Sequence, residues 1–124
     1  MTATLMIVED DGELQELYSA MLEGLGCDIV LVGDGVEALE NLETTEPDVV
    51  ILDILLDRMM GDEFHRRMRE DPRHRETPVV VVSVLSRDRL EQMLEMDDRT
   101  VFLRKPFRKQ ELVEAVLDGL GAEA

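Results

Sequence analysis

Five short apolar runs divide the chain: LMIV at 5–8, IVLV at 29–32, VVIL at 49–52, VVVV at 79–82 and VFL at 101–103. Each is continuous and rich in β-branched residues rather than alternating, the pattern of strands covered on both faces. Between the runs the period changes. Leu14, Leu17, Tyr18, Met21, Leu22 and Leu25 recur three and four residues apart, one apolar stripe of an amphipathic helix. Val36, Leu39 and Leu42 mark a second helix, and Phe64 and Met68 a thin third among arginines. Leu90, Met93 and Leu94 mark a fourth, and Leu112, Val113, Val116, Leu117 and Leu120 a fifth. Gly26 follows the first helix, Pro47 and Pro78 precede strands, and Pro72 and Pro106 follow the third helix and the last strand.

Strand and helix therefore alternate five times. The right-handed crossover rule folds a (βα)5 chain into an α/β, doubly wound parallel five-stranded sheet with helices on both faces. A sheet of this size is expected in the order 2-1-3-4-5. Its topological switch point then falls at the carboxyl ends of strands 1 and 3, where a ligand should sit. No linker, repeat or low-complexity segment interrupts the pattern. A single domain over 1–124, with a core of about 4–120 and no output domain in the chain, is expected.

Composition refines this picture. The chain is 44% hydrophobic but only 3% aromatic, with no Trp, so the core must be aliphatic. No apolar run approaches the roughly 18 residues of a membrane span, and the start MTATLMIVEDD lacks the features of a signal peptide. A cytoplasmic protein without a membrane partner is expected. Cys27, the sole cysteine, permits no internal disulfide and should be half-buried just before a strand. His65 and His74 show no ligand spacing and are expected to be solvated.

Charge is the less ordinary feature. The net is −16, and residues 1–57 contain 15 Asp and Glu with no Lys, Arg or His. Residues 58–124 hold all 13 Lys and Arg against 14 acids. Such a surface disfavours direct nucleic-acid binding. It favours a basic partner or a bound cation, although a merely solvated acidic surface explains the bias equally well.

Candidate chemistry gathers at the strand ends. The first run leads into Glu9-Asp10-Asp11 and the third ends on Asp53. Two like charges ~5 Å apart repel by about 3 kcal/mol at an effective dielectric of ~20, so Glu9, Asp10 and Asp53 should either shift a pKa or recruit a cation. Hard oxygen donors with room for water suit Mg²⁺. Asp10 or Asp11 can instead cap the first helix, but capping explains one acid, not three. The fourth run ends on Ser83 and the fifth leads to Lys105-Pro106. A carboxylate nucleophile, a metal cluster, a hydroxyl and an ammonium at one rim are the parts that in-line phosphoryl transfer to a carboxylate requires.

Glu9-Asp10, Asp53, Ser83 and Lys105-Pro106 resemble, in type, order and spacing, the receiver domains of two-component response regulators, which have a flavodoxin-like fold. The resemblance covers residues of about 4 to 120. It implies that Asp53 is the phosphoacceptor and that Glu9, Asp10, Asp53 and the backbone carbonyl of Leu55 hold Mg²⁺. It implies further that Ser83 is the switch hydroxyl, Lys105 the ion-pairing lysine and Phe102 the switch aromatic, and that the Lys105–Pro106 bond is cis. The implied partners are a histidine kinase or phosphotransfer protein and a downstream protein reached through the helix 4–strand 5–helix 5 face.

The chain departs from the family pattern in two places. Asp57 stands where a proline is usual, four residues after Asp53, and Val84 stands where a small residue follows the switch hydroxyl. Leu55 and Leu85 are apolar and unable to orient an attacking water. A long-lived acyl phosphate with slow donor access is therefore expected. The wholly acidic first two helices call for a basic kinase surface. Arg66, Arg67, Arg69, Arg73 and Arg75 offer a second use, a weak head-to-tail homodimer. Two other functions compete: a pseudo-receiver that binds proteins constitutively, and an aspartyl phosphatase of the haloacid-dehalogenase kind. The phosphatase needs an acid two residues after its nucleophile, where this chain has Leu55.

Overall fold

A computed structural model describes residues 2–121; residue 1 and residues 122–124, the ends of the expected domain, lie outside the described residues. The strands are β1 (Thr4–Val8), β2 (Asp28–Val32), β3 (Val49–Asp53), β4 (Val79–Ser83) and β5 (Thr100–Arg104). The helices are α1 (Gly12–Leu22), α2 (Gly35–Thr45), α3 (Gly61–Glu70), α4 (Arg87–Met93) and α5 (Lys109–Gly119). All neighbouring strands are parallel and the sheet runs β2-β1-β3-β4-β5. The expected α/β doubly wound fold and strand order are both found.

Strand alternation sorts the core into two layers. Met6, Val8, Val50, Leu52, Val79 and Val81 face α2, α3 and α4, packing with Ala38, Leu42, Phe64, Met68 and Leu90. Leu5, Ile7, Val49, Ile51, Val80 and Val82 face α1 and α5, packing with Tyr18, Leu22, Leu112 and Val116. β3 and β4 are buried along their whole length, as continuous apolar runs require. The outer strands differ: Leu31 of β2 is 41% exposed and Val101 of β5 is 46% exposed, because each has a neighbour on one side only.

Two expectations are corrected. His65 and His74 are each only 2% exposed, not solvated. His65 joins Gly61, Phe64 and Met68 in one buried stripe of α3, and the arginines beside it occupy the other face. Its Nε2 lies 2.9 Å from Thr100 Oγ1, while His74 Nδ1 lies 3.2 Å from Thr77 Oγ1. Leu17, assigned to the apolar stripe of helix 1, is 46% exposed. The stripe's end at Leu25 belongs to a separate 3₁₀ turn, Glu23–Leu25, closed by Gly26 at φ 70°. Cys27 is half-buried, as expected.

The arginines of α3 and the segment after it are largely committed within the chain. Arg66 and Arg67 pair with Glu63, and Arg66 also pairs with Glu70. Arg73 pairs with Asp71 and Glu43. Arg69 is mostly buried and donates to Asp97, Thr100 and the carbonyls of His74 and Thr77. Of the five, only Arg75 has no salt-bridge partner among the described residues, which weakens the case for a head-to-tail contact built on them.

Candidate functional site

The switch point between β1 and β3 lies at the rim where the chain leaves both strands. Asp11, not Asp10, caps α1, its carboxylate accepting the Glu13 and Leu14 amides at 2.8 and 3.3 Å. That leaves Glu9 and Asp10 outside the cap. Glu9 continues the β1 ladder through its amide, which donates to the Val32 carbonyl. Its side chain is buried, while Asp10 is open to solvent. The Gln15 side-chain Nε2 donates to the carbonyls of Glu9 and Val32 at 2.7 and 3.1 Å and so fixes the first turn of α1 against the ends of β1 and β2.

Asp53 is the last residue of β3 and is 6% exposed. Its Oδ1 accepts the Leu55 amide at 3.2 Å and its Oδ2 accepts from Lys105 Nζ at 3.1 Å. The same ammonium lies 3.5 Å from Glu9 Oε1. One carboxylate oxygen from each of Glu9, Asp10 and Asp53 lies within 4.8 Å of the others. Burial, and then the nearby Asp53 charge, pushes the Glu9 carboxyl up to about 7. Burial alone would lower the Lys105 ammonium; the Asp53 and Glu9 carboxylates outweigh it and the net shift is upward. Three clustered carboxylates facing one lysine are all-oxygen, strongly anionic and open to water at Asp10, a donor set that fits a hard divalent cation.

Ser83 is fully buried at the end of β4, and its Oγ accepts the Leu85 amide at 3.1 Å. Among the described residues no hydrogen bond joins its hydroxyl to Asp53 or to the Lys105 ammonium. Strand alternation explains this: Asp53 follows Val49 and Ile51 onto the α1–α5 side, whereas Ser83 follows Val79 and Val81 onto the other. Phe102 is half-buried against that second layer. The Lys105 amide donates to the Ser83 carbonyl at 2.8 Å, and the Lys105–Pro106 bond is cis. Val84 is 55% exposed, beside a shallow apolar patch formed by Leu14, Leu17, Met21, Pro106 and Phe107.

Several neighbours of the site carried no recognisable signal in the chain. Tyr18, one member of an apolar stripe, lies under Lys105 with its ring centroid 6.0 Å from Nζ and stacks at 5.6 Å on Phe107. Gln15 lies off the apolar stripe of the first helix, with nothing around it in the chain to mark it. Two close approaches also shape the rim. A Cβ on Gly61 would sit 2.4 Å from the Asp53 carbonyl oxygen, and one on Gly35 would sit 2.6 Å from that of Met59. Glycine at these positions lets the β3–α3 loop pack between the starts of α2 and α3.

Comparison with known proteins agrees with this architecture. The family model for the response regulator receiver domain matches residues 5–117. The DNA-binding response regulator MtrA of Mycobacterium tuberculosis is 32% identical over 117 residues, 94% of this chain and 50% of that protein. The chain thus spans about half the length of such curated relatives. Protein PilG of Pseudomonas aeruginosa is 26% identical over 90% of this chain and 83% of its own length. Among solved structures, chemotaxis response regulator CheY4 of Vibrio cholerae superposes with a TM-score of 0.87 at 25% identity, covering 97% of this chain and 100% of that one. The receiver domain of sensor histidine kinase PA1611 of Pseudomonas aeruginosa, with a magnesium ion coordinated in its active site cleft, gives 0.84 at 27% identity, covering 98% and 99%. With a family model spanning all five strands, the chain belongs to the response regulator receiver domains, signalling modules of two-component systems.

Proposed function

We propose that this receiver domain accepts a phosphoryl group on Asp53 from a histidine kinase or phosphotransfer protein and relays the signal by changing its protein contacts. The observation that carries the reading is the position of Lys105 Nζ, 3.1 Å from Asp53 Oδ2 and 3.5 Å from Glu9 Oε1. A carboxylate held beside one ammonium and two further acids is arranged to exchange charge with an incoming dianion.

Glu9, Asp10, Asp53 and the Leu55 carbonyl would hold Mg²⁺. When bound, the ion supplies positive charge to the phosphoryl oxygens and offsets the acidic cluster. The remaining roles belong to the chain. Asp53 forms the new P–O bond as the donor's P–N bond breaks, the leaving imidazole nitrogen keeping the electron pair. The Leu55 amide holds the carboxylate in orientation through Oδ1. Lys105 neutralises charge on the transferred group. Ser83 donates its hydroxyl to a phosphoryl oxygen after a shift from its present turn, and Phe102 follows into the space that opens. The chain performs no other chemistry than its own phosphorylation and slow dephosphorylation.

The readout face is α4–β5–α5, which reaches an unidentified downstream protein. The kinase-facing surface is α1 with the apolar patch beside Val84 and Phe107. With no basic residue among 1–57, that surface calls for a basic partner and argues against direct nucleic-acid contact. Among the described residues no helix is long and apolar enough to cross a membrane; a cytoplasmic setting is part of the proposal. A pseudo-receiver is the second reading, favoured only by Asp57 and Val84. Incubation with Mg²⁺ and acetyl phosphate separates the two: the protein gains the mass of one phosphoryl group, and Asp53→Asn does not. No gain in either would leave the pseudo-receiver.

A further inference from the structure

The β3–α3 loop, residues 54–60, sets where Leu55 stands relative to Asp53. Its inner half is held by packing and backbone bonds. Ile54 and Leu56 are buried, and the Gly61 amide donates to the Ile54 carbonyl at 2.8 Å. The outer half is exposed except at Met59 and turns through Arg58 at φ 62°, a left-handed conformation that long side chains seldom adopt. Across that turn the Met59 amide donates to the Asp57 carbonyl at 2.7 Å. Such a turn needs an outside restraint. The Arg58 guanidinium supplies one, donating through Nε to Asp34 Oδ2 at 2.9 Å and through Nη2 to Asp34 Oδ1 at 3.1 Å. Asp34 is itself anchored as the N-cap of α2, accepting the Glu37 amide at 2.8 Å. The pair therefore ties the loop to a fixed helix end.

Position 57 makes this tether matter. A proline there would stiffen the loop by fixing φ, and the Asp57 amide donates to no protein group among the described residues, so a proline would forfeit no hydrogen bond. With Asp57 that stiffness is missing. We propose that Arg58 is a positioning residue whose two-pronged bond to Asp34 holds the loop so that Leu55 stays presented to Asp53, replacing with a side-chain tether the restraint a proline at 57 would give. An exposed ion pair contributes little to global stability; the effect is local, on the loop alone. Its consequence for cation binding rests on the function proposed above, but the loop restraint does not.

The test is amide hydrogen exchange at Leu55, Leu56, Met59 and Gly61 in metal-free protein, with Mn²⁺ affinity measured alongside. Arg58→Ala and Asp34→Asn are expected to speed exchange about two- to fivefold, the range an exposed pair commands. Asp34→Asn keeps a capping oxygen for Glu37, so the α2 amides should not change. Arg58→Lys should restore part of the protection, and high salt should erase the difference between intact protein and Arg58→Ala. In an Asp57→Pro background, Arg58→Ala should have almost no effect, and Mn²⁺ affinity should follow the order of loop protection. Unchanged exchange in both Arg58→Ala and Asp34→Asn would overturn the proposal, as would the same acceleration with proline at 57. If loop protection behaves as expected while no variant binds Mn²⁺, the tether stands and the cation site fails.

Discussion

Lys105, just beyond β5, sets its ammonium 3.1 Å from an oxygen of Asp53 at the end of β3, two strands away. It is the only base bonded to that carboxylate among the described residues, and both side chains are largely buried. Lys105→Met should leave the buried Asp53 carboxylate without its counter-charge and push the Glu9 carboxyl still further up. Stability in metal-free buffer near neutral pH is expected to fall by about 1–3 kcal/mol, with part of the loss recovered on adding Mg²⁺. Urea unfolding with and without the ion measures both. An unchanged midpoint in chelator would show the pair to be incidental.

Glu9 makes a pH prediction with a definite sign. Its carboxyl is raised from 4.5 to about 7 by burial and then by Asp53. The folded state therefore holds a proton that the unfolded chain has released. The stabilisation this gives is complete below about 4.5 and is lost as pH rises through about 7. His65, lowered by burial, works in the opposite sense and loses its contribution as pH falls below its usual range. The difference between the intact protein and Glu9→Gln isolates the first effect. In chelator, the intact protein should lose stability relative to Glu9→Gln between pH 5 and 8, and Mg²⁺ should remove that loss.

The phosphorylated lifetime should be long. Leu55 is 45% exposed beside Asp53, and neither it nor half-buried Leu85 can orient a water. Leu55→Asn supplies a polar group there and should shorten the half-life by about tenfold, the equivalent of ~1.4 kcal/mol at the transition state. Val84→Ala should speed loading by opening the rim. A half-life of seconds in the intact protein would contradict both expectations.

Away from the rim, Arg69 organises a polar cluster of Asp97, Thr100 and His65 under α3. Arg69→Leu should cost about 2–3 kcal/mol, because Asp97 loses its counter-charge and the carbonyls of His74 and Thr77 lose the guanidinium donor. The loss should leave phosphorylation of the folded protein unchanged. Thermal melts with a loading assay below the transition read the two separately.

The strands were legible because continuous β-branched runs have few alternatives; parallel pairing followed from the alternation of strand and helix, and the order 2-1-3-4-5 from the size of the sheet. Glu9, Asp10 and Asp53 stood out because charge at the end of a buried strand has no packing explanation, and Lys105 stood out as a cation just past the last strand run. The histidines did not stand out. His65 is buried because α3 turns one narrow stripe inward, a stripe hidden in the chain by Arg66, Arg67 and Arg69, and His74 is buried in the short 3₁₀ turn Pro72–His74 that follows. The Asp34–Arg58 bond was equally hidden, since 24 residues separate its partners and only the folded loop brings them together. The placement of Ser83 on the opposite side from Asp53 depended on strand alternation at the rim, which a run of four valines does not reveal.

The central claim is that phosphorus is carried by the carboxylate of Asp53. Loading with acetyl phosphate and Mg²⁺, then reduction with borohydride, converts an acyl phosphate into the corresponding alcohol at the residue that bore it. Peptide sequencing is expected to find homoserine at position 53 alone, with none in a sample loaded in chelator. Homoserine at position 10 or 57, or an acid-stable phosphate on Ser83, would contradict the account.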